Sequence, residues 1–326
     1  MKKPNLCVGV NGAFEEIRDL VNTFSQIGSI YTSDYVKKTA GGRNVSYLKS
    51  LDQIREIATF LREHRVEYYV ANNHTVFTRP RSDRAFWGDY REHILGLQES
   101  GVTGIITGHP FFVEFIKKHS KLKVCVSTTA EVATGRAARH FEEMGADMIC
   151  PSYSVNYDME RLLEIRRSLK TATIKLLANE MCLGDCPHRK YHQNAYFSEH
   201  NLDEDYGYVC HHTMMASPVE MLQNNTIRPE DVGNYTEVAD TIKLSLRQPP
   251  FYDTAKNKEV VRAYCEGRHD GNYIDLVSQR LAQFINIPNS GLDGLYEIKS
   301  KCKKNCQSCK LCHRLYESAT AGFKAA

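Results

Sequence analysis

The chain has 326 residues, 42% of them hydrophobic and 25% charged, with a formal net charge of +3. That length and apolar share supply a sizeable core, which excludes a disordered chain and a peptide-sized module. No apolar run approaches the roughly 20 residues of a membrane span, and the first residues lack a signal peptide's apolar stretch, so the expected location is the cytoplasm.

In chain order, Leu6–Val10 reads as a strand, and Phe14, Ile17, Leu20, Val21 and Phe24 follow at helical spacing. Ser29–Tyr31 is a second, short strand, Leu51–Glu63 an amphipathic helix and Val66–Ala71 a third strand. The cycle repeats with a helix near 87–99 and strand Gly104–Thr107, then helix Phe112–His119 and strand Leu122–Val126. Helix Ala130–Met144 precedes strand Asp147–Cys150, and helix Tyr157–Leu169 precedes strand Thr173–Ala178. An eighth strand is expected over 241–246 and a closing helix over Asn257–Gly267.

Eight such cycles predict a (β/α)8 TIM-like barrel over residues 1–268, with a doubly wound open sheet as the alternative. Residues 269–326 form a Cys-rich C-terminal extension that opens on turn signals at Pro288–Gly291. In a barrel the chemistry sits where strands end. Those ends carry Asn11, Asn72, Asn73, His74, Gly108, His109, Ser127, Thr128, Thr129, Asn179 and Glu180. Strand ends are polar in any fold; Glu180 and His109 stand out as candidate functional groups.

Eleven cysteines in a reducing compartment point to metal or redox chemistry before disulfides. Directly after the seventh strand runs Asn179-Glu180-Met181-Cys182-Leu183-Gly184-Asp185-Cys186-Pro187-His188-Arg189, and Cys210 follows before His211 and His212. Thiolates bind zinc or iron–sulfur clusters because sulfur is a soft donor. A [4Fe–4S] cluster takes four such ligands, and Cys265 is the nearest fourth candidate in sequence. His188, His192 and His200 lie in the same polar excursion and suit metal or anion binding.

The extension holds Cys302, Cys306, Cys309 and Cys312 at C-x3-C-x2-C-x2-C spacing. This dense run resembles ferredoxin ligation, and a four-thiolate zinc is the alternative. Two clusters are allowed by the count, as is one of mixed membership if the extension folds over the barrel mouth. Lys299, Lys301, Lys303, Lys304, Lys310 and Arg314 put +6 around this motif and leave −3 for the rest of the chain. Such cations stabilise a thiolate centre; they equally keep a Cys-rich segment soluble. Cys7, Cys125 and Cys150 fall in strands and read as core thiols.

The strand-seven motif with His192, Thr226-Ile227-Arg228-Pro229-Glu230-Asp231, Ile242-Lys243-Leu244, Arg247 and Gly271-Asn272 resembles the peptidase U32 family over about residues 5–285. The resemblance implies a barrel with a cluster on Cys182, Cys186 and Cys210. Family members include proteins named as peptidases and others that look like oxygen-independent hydroxylases of ubiquinone precursors or RNA bases. The latter carry a [4Fe–4S] cluster, with prephenate suggested as oxygen donor. Some relatives work as paired subunits. The family's fourth cysteine has no clear match here, and the C-terminal motif is not general in the family.

The leading expectation is an iron–sulfur enzyme acting on a small molecule or an RNA base. Cys182, Cys186, Cys210 and Cys265 ligate, Glu180 acts as acid–base group, and His188, Arg189 and His192 grip an anionic substrate. A peptidase is the second reading, although HExxH and G-x-S-x-G are both missing. A non-catalytic iron–sulfur or RNA-binding partner protein is the third, with the basic extension as its contact.

Overall fold

The computed structural model describes residues 4–35, 48–73, 82–196, 209–246 and 252–323. Eight parallel strands close into a barrel in sequence order: β1 Asn5–Gly9, β2 Ile27–Ser33, β3 Glu67–Ala71, β4 Gly104–Thr107, β5 Lys123–Val126, β6 Met148–Ile149, β7 Thr173–Asn179 and β8 Thr241–Ser245. The expected (β/α)8 fold is therefore the observed one, and β1 pairs with β8 where an open sheet would leave two edges. The connecting helices are α1 Phe14–Thr23, α2 Leu51–Glu63, α3 Arg84–Glu99, α4 Pro110–His119, α5 Gly135–Glu143 and α6 Met159–Ser168. After β7 come α7 Arg189–Tyr196, α8 Val209–Ala216 and α9 Glu220–Gln223; α10 Thr254–Glu266 follows β8. The extension adds α11 Leu295–Ser300 and α12 Leu311–Thr320. Among the described residues no helix is long and apolar enough to cross a membrane.

Alternation along the strands sorts side chains into two sets. Leu6, Val8, Ile30, Val70, Ile105, Val124, Ile174, Leu176, Ile242 and Leu244 face outward into the shell between barrel and helices. Cys7, Tyr31, Tyr69, Ala71, Ile106 and Cys125 fill the inside. Cys7, Cys125 and Cys150 are buried as expected, and burial pushes the Cys150 thiol up to about 12. Two buried lysines share this interior. Lys175 Nζ sits 4.5 Å from the Tyr69 ring centre and 3.4 Å from Cys7 Sγ, and Lys243 Nζ lies 4.3 Å from the Tyr31 ring centre. The aromatic faces compensate the buried ammonium groups.

Most boundaries differ from the sequence reading by one to three residues, and two elements differ by more than that in length. The helix expected from Ala130 begins at Gly135: Glu131 adopts a left-handed conformation (φ 52°), and Thr134 caps the helix through Ala137 N. The second strand has seven residues, because its polar positions are also buried, with Thr32 Oγ1 2.9 Å from Tyr68 Oη. The extension does not stand apart from the barrel core. Tyr273, Ile274, Leu276, Val277, Leu281, Ile285, Ile287, Leu292 and Leu295 belong to the same buried cluster as the barrel shell.

A buried ion pair braces the mouth on the β2 side. His93 Nε2 lies 2.7 Å from Asp34 Oδ2, with side-chain exposures of 7% and 1%. Burial opposes charge on His93, but the Asp34 carboxylate outweighs it and holds the imidazole above its ordinary 6.5. Its contribution to stability is therefore complete below the unfolded-state pKa and lost as pH rises through the raised folded value. Urea midpoints of the wild type should fall across that interval, and His93→Gln should flatten the fall; equal slopes would refute the assignment.

Candidate functional site

The end of β7 is shaped by a register shift between Leu177 and Asn179 against β8. Asn179 Nδ2 donates to Leu276 O at 2.9 Å and its Oδ1 accepts from Ser245 N at 2.7 Å, so this residue ties β7 to β8 and the extension. Tyr153 Oη lies 2.9 Å from both Glu180 O and Thr226 Oγ1 and fixes the next step of the chain. The loop then turns through Asp185, which is left-handed (φ 51°), and Arg189 N closes on Cys186 O at 3.2 Å to start α7.

Gly184 is the tight point of this loop: a Cβ there would stand 2.4 Å from the Gln223 carbonyl oxygen at the end of α9. Backbone cannot yield as a side chain can. Gly184→Ala is expected to cost about 1–3 kcal/mol and to displace the Cys186 loop. Urea unfolding measures the first and bound metal per chain the second; an unchanged midpoint would mean that the loop shifts freely.

Cys182, Cys186 and Cys210 are each half-buried. Cys182 packs on Cys150, Tyr153 and Leu177. Burial pushes its thiol well above the ordinary value; Glu180 and the Cys210 and Cys186 thiolates add to this, and Arg189 opposes it. Cys182 thus lies within electrostatic reach of both Cys186 and Cys210. Among the described residues, no three His, Cys, Asp or Glu side chains are already gathered at the geometry of a bound metal ion. The donor chemistry nevertheless fits a thiophilic metal or an iron–sulfur cluster: soft sulfur donors stand on one loop and the helix that follows, with a guanidinium that offsets the charge of Cys182.

Cys265 is placed differently. It lies in the last turn of α10, about 16 Å along the helix from its first residue, and packs on the main core. A helix that follows a barrel strand runs back from the mouth, which puts the last turn of α10 toward the far end of the barrel.

Arg189 joins two carboxylates. Its Nη1 bonds Glu131 Oε1, and its Nη2 bonds Glu180 Oε2 at 2.5 Å. These side chains are 10% (Arg189), 32% (Glu131) and 14% (Glu180) exposed. Both terminal nitrogens expected to grip a substrate anion are thus engaged by the protein, while Nε is buried with no hydrogen-bond partner. Glu131 also accepts from Ser152 Oγ.

His188 is exposed at the start of α7. His192 is half-buried and lies within electrostatic reach of His211. Burial first, then Arg280, His212 and His192, lower His211 to about 4. His211 is therefore a neutral imidazole near pH 7, and the Arg280 guanidinium beside it is the permanent positive charge of this group. Sequence reading missed Glu131 and Arg280, because neither carries a local motif. His109 is a helix cap: its Nδ1 accepts from Phe111 N at 3.2 Å, which explains its place at the head of α4. His74, His200 and Arg247 lie outside the described residues.

Around the mouth, several buried polar atoms have no hydrogen-bond partner among the described residues: Asn11 Oδ1, both amide atoms of Asn72, Asn73 Oδ1, Thr107 Oγ1 and Thr129 Oγ1. They follow β1, β3, β4 and β5. Such groups are costly to bury unsatisfied, so a row of them marks a surface built for a polar ligand. A surface cleft between α5 and α6, lined by Arg136, Arg139, Arg161, Arg167 and three acids, contains none of these mouth residues.

The four cysteines of the extension influence one another. Partial shielding and the charges of Cys302 and Cys309 push Cys306 up, and burial with Cys302, Cys306 and Cys309 does the same to Cys312. Lys304 Nζ lies 2.6 Å from Asp185 Oδ1, so this motif sits beside the Cys186 loop.

A model of peptidase family U32 matches residues 37–196. An uncharacterized protease of Methanocaldococcus jannaschii, MJ1657, is 27% identical over 331 aligned positions, covering 94% of this chain and 96% of that protein. The solved structure of the U32 peptidase Mk0906 superposes with a TM-score of 0.56 at 18% identity, over 77% of this chain and 96% of that one. The chain is thus similar to peptidase family U32 in sequence, through the family model and the M. jannaschii relative, and shares the fold of Mk0906. The U32 family model ends inside α7, so it takes in Cys182, Cys186 and the Arg189 ion pairs and stops before Cys210 and the extension.

Proposed function

We propose that this protein is an iron–sulfur enzyme whose cluster is held by Cys182, Cys186 and Cys210 and whose substrate enters at the barrel mouth. The observation that carries the reading is the juxtaposition of those thiols with a mouth lined by unsatisfied buried polar atoms. A [4Fe–4S] cluster with three protein thiolates keeps a position for substrate or for a fourth ligand, and supplies electron transfer or Lewis acidity there. The protein's own groups do the rest. Asn11, Asn72 and Thr107 accept and donate hydrogen bonds to a polar substrate. Arg280 favours an anionic one, and the neutral His211 imidazole beside it offers a hydrogen bond. Arg189 positions the Glu180 carboxylate, the group best placed to carry a proton.

The chemistry consistent with this set is an oxygen-independent hydroxylation, or a related redox step, on a small molecule or an RNA base. A paired U32-like subunit would supply further contacts. Peptidase activity is the second reading, favoured by the names of the M. jannaschii relative and of Mk0906. Against it, the raised Cys182 thiol is a poor nucleophile. Anaerobic protein should be brown and bleach on reduction, and casein should remain intact. Casein cleavage that survives removal of iron would replace this reading with the second.

A further inference from the structure

Residues 301–311 are exposed without exception, yet they hold a compact, turned backbone. Cys302 N donates to Lys299 O at 3.1 Å, Lys304 N donates to Cys302 Sγ at 3.3 Å, and Cys309 N donates to Asn305 O at 2.9 Å. Lys304 is left-handed (φ 57°), a conformation that costs a residue with a Cβ unless something imposes it. Apolar burial does not impose it here, since this run contributes nothing to the core. An amide two residues after a cysteine that donates to its sulfur is the local geometry a metal-bound thiolate uses, because the N–H disperses the sulfur's charge.

The flanks are fixed. Cys312 opens α12, which packs on the core through Leu315, Tyr316 and Ala319. On the other side Lys299 is buried, and its Nζ donates to Gln223 O and Asn224 O at 2.8 and 2.5 Å. Lys304 reaches Asp185, the residue before Cys186. Cys312 lies within electrostatic reach of Cys302, Cys306 and Cys309 between these two anchored points; the four sulfurs are not drawn to ligand spacing here, and a bound metal would close them.

We propose that Cys302, Cys306, Cys309 and Cys312 form a structural zinc site that holds the extension against the loop carrying Cys186. Four thiolates close a tetrahedral shell around zinc and leave no open position, so the site is structural. Zinc is redox-silent and tolerates the exposure of Cys302, Cys306 and Cys309, whereas a cluster on three exposed cysteines would stand open to solvent. The four thiols release their protons on binding. The resulting −2 complex is met by Lys299, Lys303, Lys304 and Lys310. This site does not rest on the iron–sulfur reading of the mouth.

Metal content of the full-length protein, purified without oxygen, tests it. The wild type should carry about one zinc per chain. Cys306→Ser with Cys309→Ser should lose that zinc and keep any iron, and Cys182→Ala should keep the zinc. A wild type that takes up no zinc from solution, or zinc retained by the double variant, would overturn the proposal. So would loss of iron and sulfide in the double variant, which would make these cysteines part of an iron centre. Should the variant fail to fold, trypsin on the wild type decides. Chelation should open cleavage at Lys303, Lys304 and Lys310, and zinc should close it again; cleavage indifferent to zinc counts against the site.

Discussion

Cys182→Ala is expected to strip the protein of iron and acid-labile sulfide, while Cys265→Ala keeps both. Cys182 is enclosed against Cys150, Tyr153 and Leu177 and is flanked by the other two thiols. Removal of an outer partner of a metal ligand already costs about 10–100-fold in affinity or activity; removal of the ligand itself should exceed that. Cys265 sits in the last turn of α10, on the shell core, and its loss should register only as a small packing defect. Iron and sulfide analysis of the two variants, purified side by side, checks the pair. Equal retention would place the cluster elsewhere, and equal loss would return Cys265 to the ligand set.

Arg189→Met should destabilise the fold by about 3 kcal/mol, the low end for breaking a buried ion pair. The methionine leaves the Glu131 and Glu180 carboxylates facing each other beside the Cys182 sulfur with nothing to offset them. The low end applies because Glu131 is still about a third exposed and water screens part of the repulsion. Arg189→Lys should recover only part of the loss, since an ammonium cannot hold two carboxylates in one plane. Adding Glu180→Gln to Arg189→Met should recover more, because it removes one of the stranded charges. Urea unfolding of the four proteins measures this. A single variant as stable as the wild type would show that the triad is not a structural clamp.

The barrel was legible because its signal is local. Each strand carries its apolar alternation within a few residues, and each helix its own periodic face, so eight cycles could be counted without knowing how they close. What failed was also local in cause. Ser29–Tyr31 showed only part of β2, since its polar residues are buried through contacts with β3 that no window on the sequence contains. Ala130–Ala133 fit a helical pattern, but the left-handed Glu131 and the Thr134 cap begin the helix later. The burial of Lys175 and Lys243 likewise depends on the Tyr69 and Tyr31 rings across the barrel interior, which no stretch of sequence around either lysine contains.

The candidate site divides the same way. Glu180, Cys182, Cys186 and Arg189 lie in one short run, so spacing revealed them together. The partner that settles what Arg189 does, Glu131, lies 58 residues earlier. Arg280 reaches the mouth from the extension.

Iron and acid-labile sulfide per chain, determined on anaerobically purified wild-type protein, bear most directly on the central claim. The account predicts about four of each, bound to a chain in which Cys182, Cys186 and Cys210 resist alkylation until the metal is removed. Protein that is free of sulfide, with those three thiols alkylated at once, would contradict it.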